Sequence, residues 1–170
     1  QSCMVNRYLY SDPEIIKRTV LALLGKPPYY EHINTINDYS FYLMITVYDY
    51  WYSTGDYDFV RRIYDRLYAL YEFAVSRLDE NGFVCQREGD WIFIDWAELD
   101  KEGPMCAEQI LLWQASRCMK ELASAIGREC LCAPDTDKLK ENIYKYYFRQ
   151  ELGGFIDGYQ SGKNKINRQQ

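Results

Sequence analysis

The sequence alternates between helical segments that are apolar on every side and helical segments with a single apolar stripe. The segment from about Tyr39 to Ser53 is nearly continuous in apolar and aromatic residues, whereas the next, from about Tyr57 to Leu78, carries many charges beside one stripe. A helix that is apolar all round is buried all round, and an amphipathic helix buries one face only. The pattern predicts two layers of helices, with the first segment inside and the second outside.

Three further segments extend this order. An amphipathic helix is predicted to begin at Pro13, with Asp12 as its N-cap, and to stop before Gly25. A mostly apolar helix follows from Pro104 to about Ile126, and an amphipathic helix from Thr136 to about Arg149. The sequence has no self-similarity near 34 residues, which argues against tetratricopeptide or ankyrin arrays. We therefore expect an all-α fold of the two-layer toroid type.

Composition narrows the class of protein. At 170 residues, 48% hydrophobic and 26% charged, the chain is typical of one globular domain. Its net charge of −5 argues against nucleic acid as a partner, and it has no apolar run approaching the ~20 residues that span a bilayer. Its first residues show no secretion signal, so we expect a cytoplasmic or periplasmic location. Six cysteines and one histidine lack metal-ligand spacing, so we expect no metal and no cofactor.

The densest group of candidate functional residues lies between positions 89 and 100. If this run is extended, Trp91 and Asp95 share one face, and Asp90 and Trp96 share the other. Two pairs of an aromatic ring and a carboxylate suit a sugar, because the ring stacks on a C–H face and the carboxylate binds hydroxyls. The alternative is a packed loop whose tryptophans fill the barrel, and the residues alone do not decide between the two.

Three other side chains fall on the same expected rim. Asp38 begins the second helix and is expected to serve as its N-cap, a position that Asn37 also suits. Glu108 lies in the first turns of an inner helix among apolar neighbours, which allows a role at the barrel mouth. His32, in a loop bounded by proline, is interpreted as structural. Glycosidases need a carboxylic acid and a carboxylate base or nucleophile, and no pair here is recognisable as such.

Several of these motifs resemble glycoside hydrolase family 78, the bacterial α-L-rhamnosidases, from about Tyr10 to Gln170. The resemblance implies an (α/α)6 toroid of six helical hairpins and hydrolysis of terminal α-L-rhamnosides with inversion. The matching stretches are residues 32–40, 52–56 and 89–96, with residues 99–103 followed by Glu108 and Gln109.

The same resemblance implies that the chain is an internal piece of that catalytic domain. The family's general acid precedes the matched region and its general base follows it, so residues 1–170 are expected to form an incomplete set of hairpins from one domain, truncated at both ends. What remains is part of the rhamnose pocket, with Trp91 as its aromatic wall. The expected substrate-binding residues are Asp38, Asp90, Trp91, Asp95, Trp96 and Glu108.

Two alternatives stay open. Another six-hairpin glycosidase or lyase would share the helices and differ in the loops that carry chemistry. A non-catalytic helical module that binds sugar or protein would explain the absence of a recognisable acid and base. In either case the uncovered flanks of the inner helices are expected to make the isolated chain self-associate.

Overall fold

The computed structural model describes residues 12–91 and 98–166, together with Val5 and Leu9. The described residues form helices joined by loops, with a short antiparallel hairpin near the end of the described range. The elements in chain order are α1 (Pro13–Leu23), α2 (Asn37–Thr54), α3 (Tyr57–Ala74), α4 (Cys106–Ala125), α5 (Thr136–Tyr147), β1 (Phe148–Arg149) and β2 (Gly154–Phe155).

The helices form two layers. α2 and α4 pack against each other more extensively than any other pair, and α2 also contacts α1 and α3, while α4 contacts α3 and α5. α1, α3 and α5 each bury one stripe and expose the other side. This arrangement confirms the predicted all-α class with two inner and three outer helices in the described ranges. The side chains that α2 and α4 bury in the core include Phe41, Met44, Val47, Leu112, Ala115 and Met119.

The prediction that the second helix is buried on every side is wrong. Tyr42 and Tyr52 of α2 are 43% and 71% exposed. Tyrosine tolerates this position because its ring packs on neighbours while its hydroxyl meets water, and the Tyr52 ring stacks on Tyr48 at 5.9 Å between centroids. Apolar content alone therefore overstated the burial of a helix rich in tyrosine.

Three predicted helix ends are shortened by β pairing. α3 and α5 end a few residues before the positions that periodicity indicates, and α4 begins two residues after Pro104. In each case the backbone just beyond the helix pairs with another segment, six or seven residues away for α3 and α5 and 53 residues away for α4. The pairs are Leu78 with Val84, Met105 with Gly158, and Phe148 with Phe155.

The turn between α2 and α3 is held by one carboxylate. Gly55 takes a left-handed conformation, with φ of 66°, and ends α2 as predicted. Asp56 then caps α3, because its Oδ1 accepts from the backbone N–H of Phe59 at 2.9 Å. Its Oδ2 accepts from the Tyr50 hydroxyl at 2.7 Å and lies 2.9 Å from Nζ of Lys17. The Thr-Gly-Asp stretch is therefore structural.

We expect Asp56→Ala to lower the free energy of unfolding by about 2 kcal/mol at pH 7, since it removes the cap and two further polar contacts. The hydrogen bond from Lys17, with those from Phe59 and Tyr50, lowers the pKa of Asp56 to about 2. The stabilisation is therefore complete above the unfolded pKa near 4 and is lost as the pH falls from about 4 to about 2. Urea unfolding across this range measures the difference.

Asp58→Ala, an exposed carboxylate in the first turn of the same helix, is the matched control. Equal losses from the two substitutions, or a loss at Asp56 that persists at pH 2, would contradict the assignment.

The exposed aromatic residues of the inner helices bear on assembly. Tyr42 and Tyr52 project from α2, and a groove between α4 and α5 is lined by Ile110, Trp113 and Tyr144. Apolar surface of this kind favours association. Self-association of the isolated chain stays a prediction, and light scattering that gave a monomeric mass at every concentration would contradict it.

None of the helices in the described ranges is both long enough and apolar enough to cross a membrane.

Candidate functional site

The inner helices α2 and α4 begin at the same end of the fold, and their first turns touch. Asn37, the first residue of α2, donates a hydrogen bond from Nδ2 to Oε1 of Glu108 in the first turn of α4. The prediction that Asn37 or Asp38 caps the second helix is wrong, because Ile36 occupies the N-cap position. Ile36 is extended and pairs in parallel with Trp91, and the helix starts directly after it at Asn37, two residues before the predicted Tyr39. The polar side chains that follow turn inward instead of capping.

This inward turn buries polar groups between the helices. Asp38 and Glu108 are only 2% and 1% exposed, and Asn37 is buried as well. Burial, together with the negative charges of Asp38 and Asp90, raises the pKa of Glu108 to about 8. Glu108 is therefore protonated at neutral pH and has a proton to donate. Within residues 12–91 and 98–166, no side chain donates to Oδ1 of Asn37.

A loop brings Trp91 to the same end. The backbone N–H of Trp91 donates to the carbonyl oxygen of Thr35 at 2.8 Å, and the N–H of Asn37 donates to the carbonyl oxygen of Trp91 at 3.4 Å. These two bonds fix the backbone on either side of the bridge with Ile36. The Trp91 side chain is nevertheless 52% exposed. An indole with a fixed backbone and an accessible ring therefore lies beside the buried polar cluster.

Asp90 is held in a tight turn just before Trp91. Its Oδ2 accepts from the backbone N–H of Arg87 at 2.7 Å, and its own N–H donates to the Arg87 carbonyl oxygen at 3.1 Å. Gln86 donates from Nε2 to the Asp90 carbonyl oxygen at 2.9 Å. The carboxylate is thus oriented by backbone contacts, and its charge acts on Glu108.

His32 lies under this turn. Its Nε2 is 2.8 Å from Nη1 of Arg87 and 3.9 Å from Oδ2 of Asp90, and its Nδ1 is 3.0 Å from Oγ of Ser40. Burial lowers the pKa of His32 to about 4; Asp90 opposes this shift and Arg87 adds to it. A neutral ring that accepts from Arg87 and donates to Ser40 accounts for both contacts. The geometry supports the structural interpretation of His32.

Arg87 anchors the loop to α3. Its guanidinium donates to the carbonyl oxygen of Phe73 and to Oγ of Ser76, the latter at 2.7 Å, and stacks 3.9 Å from the centroid of the Phe73 ring. These contacts satisfy a half-buried cation without a direct salt bridge in the described part of the chain. Sequence reasoning missed Arg87, and its position three residues before Asp90 was the available signal.

Gln109 anchors the start of the same loop. Its Oε1 accepts from the backbone N–H of Val84 at 2.8 Å, and its Nε2 donates to the Val84 carbonyl oxygen at 3.3 Å. Both residues are buried. A side chain of α4 thus completes a backbone pairing, and it lies next to Glu108. The Glu108-Gln109 pair was noted in the sequence, but the role of Gln109 was not.

The structure brings four of the six expected site residues to one end of the inner helices and leaves the other two outside the described residues. Trp91 is the exposed member, Asp90 is oriented beside it, and Asp38 and Glu108 are buried below. Asp95 and Trp96 are the two that lie outside. Asn37, Arg87 and Gln109 hold the group together and were not among the expected residues.

The described residues offer little for a metal or a disulfide. No group of three or more histidine, cysteine or acidic side chains among them is placed to hold a metal ion. The five cysteines in the described ranges are free thiols, at positions 85, 106, 118, 130 and 132.

Comparison with known proteins gives matches in structure only. No family model matches the sequence, and no curated protein matches it. The fold is similar to that of a family 78 glycoside hydrolase, a rhamnosidase of Bacillus sp. GL1, with a TM-score of 0.73 and 23% identity over 90% of this chain. It is also similar to a rhamnosidase from Klebsiella oxytoca with rhamnose bound, with a TM-score of 0.67 and 20% identity over 91% of the chain.

The chain spans 17% of the Bacillus protein and 33% of the Klebsiella protein. The fold implied by the sequence resemblance is thereby confirmed: this chain has the fold of a segment of two bacterial rhamnosidases.

Proposed function

We propose that the chain forms part of the sugar pocket of a glycoside hydrolase that cleaves terminal α-L-rhamnosides. The observation that carries the proposal is the exposed Trp91 ring above a buried cluster that contains Asp38 and Glu108. The similarity in fold to rhamnosidases, one of them with rhamnose bound, supports rhamnose as the sugar. The proposal requires a larger protein that contains this chain. The chain covers only 17% and 33% of the two rhamnosidases, which supports this requirement.

Trp91 is proposed to stack on the C–H face of the sugar. Its backbone is fixed by Thr35 and Asn37, so little conformational freedom is lost when a ligand binds. Rhamnose is a deoxy sugar with a methyl group, so its less polar face suits an indole. This role depends on the accessible ring, which a purely packing tryptophan would not have.

The buried polar residues are proposed to form the floor of the sugar site. Asn37, Asp38 and Glu108 are at most 2% exposed, so they fix the first turns of α2 and α4 at the end of the fold where Trp91 lies. Protonated Glu108 is a hydrogen-bond donor below pH 8, and the carboxylate of Asp38 is an acceptor. Asp90, oriented by its turn, is the acceptor next to Trp91. In a pocket shielded from water, such fixed groups discriminate strongly between sugars with different hydroxyl patterns.

The general acid and base are proposed to come from residues outside this chain. Inversion requires two carboxyl groups about 6.5–9.5 Å apart on opposite faces of the scissile bond, with room for water. Asp38 and Glu108 lie together in a buried cluster between two helices, where they do not meet a water molecule to activate it. The isolated chain is therefore expected to be inactive.

The test is hydrolysis of p-nitrophenyl α-L-rhamnoside by this chain and by the longer protein that contains it. Turnover by the longer protein alone is expected, with β-L-rhamnose as the first product seen by NMR if the mechanism inverts. Turnover by the isolated chain would mean that acids such as Asp90 or Glu108 are catalytic. A longer protein that cleaves a glucoside or glucuronide but no rhamnoside would contradict the proposal.

A further inference from the structure

Cys130 and Cys132 lie in the connection between α4 and α5, far along the chain from the polar cluster. Both thiols are half-buried and neither forms a disulfide. The N–H of Ala133 donates to the carbonyl oxygen of Cys130 at 3.3 Å, which closes a turn around the pair. Leu131 between them is 81% exposed, so the tip of this turn meets solvent. Two half-buried thiols thus flank the exposed tip of one turn.

The two thiols contact each other and the rings of α3. The Cys130 thiol and the Tyr68 hydroxyl both lie within interaction range of the Cys132 sulfur. The interaction with Cys130 lowers the pKa of Cys132 to about 7, against burial and the charge of Glu72. The hydrogen bond to Cys132 raises the pKa of Cys130. The pair is therefore asymmetric, with a ready nucleophile and a protonated neighbour.

A cation lies near the pair. Nζ of Lys120 donates to the carbonyl oxygen of Pro134 at 2.9 Å, which ties the turn to α4, and its charge favours the thiolate form of Cys130. Once Cys132 has been consumed in a first reaction, the hydrogen bond that holds the proton on Cys130 is gone. Burial still opposes the ionisation of Cys130 while the charge of Lys120 favours it, so Cys130 is the thiol that reacts second.

We propose that Cys130 and Cys132 form a thiol–disulfide exchange site for small-molecule disulfides such as oxidised glutathione. The Cys132 thiolate attacks one sulfur of the disulfide, forms a mixed disulfide and releases one small thiolate. Cys130 then loses its proton to solvent and attacks Cys132 Sγ, which closes the Cys130–Cys132 disulfide and releases the second small thiolate. The protein dithiol is oxidised and the small disulfide is reduced to two thiols.

The other cysteines provide an internal contrast. Burial raises the pKa of both Cys106 and Cys118 to about 12, and both are enclosed in the core. A disulfide between residues two apart closes a small ring, and strained or exposed disulfides are the readily reduced ones. The Cys130–Cys132 pair is thus expected to cycle between dithiol and disulfide, whether or not a sugar is bound near Trp91.

The experiment equilibrates the folded chain in glutathione redox buffers, blocks thiols with iodoacetamide and analyses tryptic peptides by mass spectrometry. Cleavage after Arg128 and Lys138 isolates residues 129–138, which contain no other cysteine. We expect this peptide to become two hydrogens lighter and unalkylated in oxidising buffer, and to return to the doubly alkylated form in reducing buffer. A peptide that stays doubly alkylated in every buffer would overturn the proposal.

Single variants test the order of attack, with circular dichroism as the check on folding. C130S is expected to trap glutathione on Cys132, whereas C132S traps at least tenfold less on Cys130. At pH 7 iodoacetamide is expected to modify Cys132 about tenfold faster than an ordinary thiol, since about half of it is ionised. Equal trapping by the two variants, or equal trapping by the folded and the urea-unfolded chain, would overturn the assigned roles.

Discussion

Gln109→Ala is expected to lower the free energy of unfolding by about 3 kcal/mol, because two buried backbone groups lose their partners. The Gln109 amide accepts from the N–H of Val84 and donates to its carbonyl oxygen inside the core. Alanine leaves both groups of Val84 unsatisfied where water has little access. Because Val84 begins the loop that ends at Trp91, the substitution is also expected to loosen the candidate site.

Urea unfolding followed by circular dichroism measures this loss, and hydrogen exchange at Val84 localises it. Gln114→Ala is the matched control, since Gln114 is an exposed glutamine on the same helix and is expected to change stability by less than about 0.5 kcal/mol. Similar losses at the two positions would show that Gln109 contributes helix propensity only, and would contradict its role as an anchor for the loop.

Glu108→Gln is expected to stabilise the chain at pH 8 by on the order of 3 kcal/mol and to leave its stability unchanged near pH 4. Burial, reinforced by Asp38 and Asp90, raises the pKa of Glu108 in the folded chain to about 8. The unfolded chain loses this proton near pH 4.5, so between these values the folded state binds more protons. The stability of the native chain therefore falls as the pH rises from about 4.5 to about 8, and is then level.

Glutamine matches the shape of the protonated acid and cannot ionise, so it removes this penalty. The glutamine side chain keeps an oxygen that accepts from Nδ2 of Asn37. It also brings N–H groups that can donate to Oδ1 of Asn37. Glu151→Gln, at an exposed carboxyl near the end of the fold, is the control. The difference in unfolding free energy between variant and native chain is measured from pH 4 to pH 9. A destabilised variant at pH 8 would contradict the buried, protonated assignment.

The layers of the fold were predictable because they depend on local patterns. Gly55 and Asp56 mark the α2–α3 turn in the sequence and occupy the expected positions in the structure. The N-terminus of α1 likewise follows from Asp12 and Pro13, with Asp12 accepting from the N–H of Glu14 at 2.9 Å. Helix capping and helix termination depend on interactions between residues a few positions apart, so they can be recognised in the sequence.

The N-terminus of α2 was not predictable in the same way. Asn37 and Asp38 are good capping residues, and local reasoning placed them at the N-cap. The helix instead starts at Asn37, directly after the bridge between Ile36 and Trp91, and both side chains turn inward. This contact joins positions 55 residues apart in the chain, so hydrophobic periodicity and helix propensity do not predict it.

The candidate site could be predicted in part. Trp91, Asp90 and Glu108 were identified from residue type and neighbourhood, and the structure brings them to one end of the inner helices. Arg87 and Gln109 were missed because their importance lies in contacts with backbone atoms of Phe73 and Val84. A polar side chain that binds a distant carbonyl group looks, in the sequence, like any other surface residue.

The most direct test of the central claim, that Trp91 forms part of a rhamnose pocket, is kcat/KM for p-nitrophenyl α-L-rhamnoside in the longer protein with Trp91→Ala. The matched control is Tyr52→Ala, an exposed aromatic at the opposite end of α2. We expect Trp91→Ala to lower kcat/KM roughly tenfold or more, equivalent to about 1.4 kcal/mol, and Tyr52→Ala to leave it unchanged. A Trp91→Ala variant that hydrolyses the rhamnoside as fast as the native protein would contradict the account.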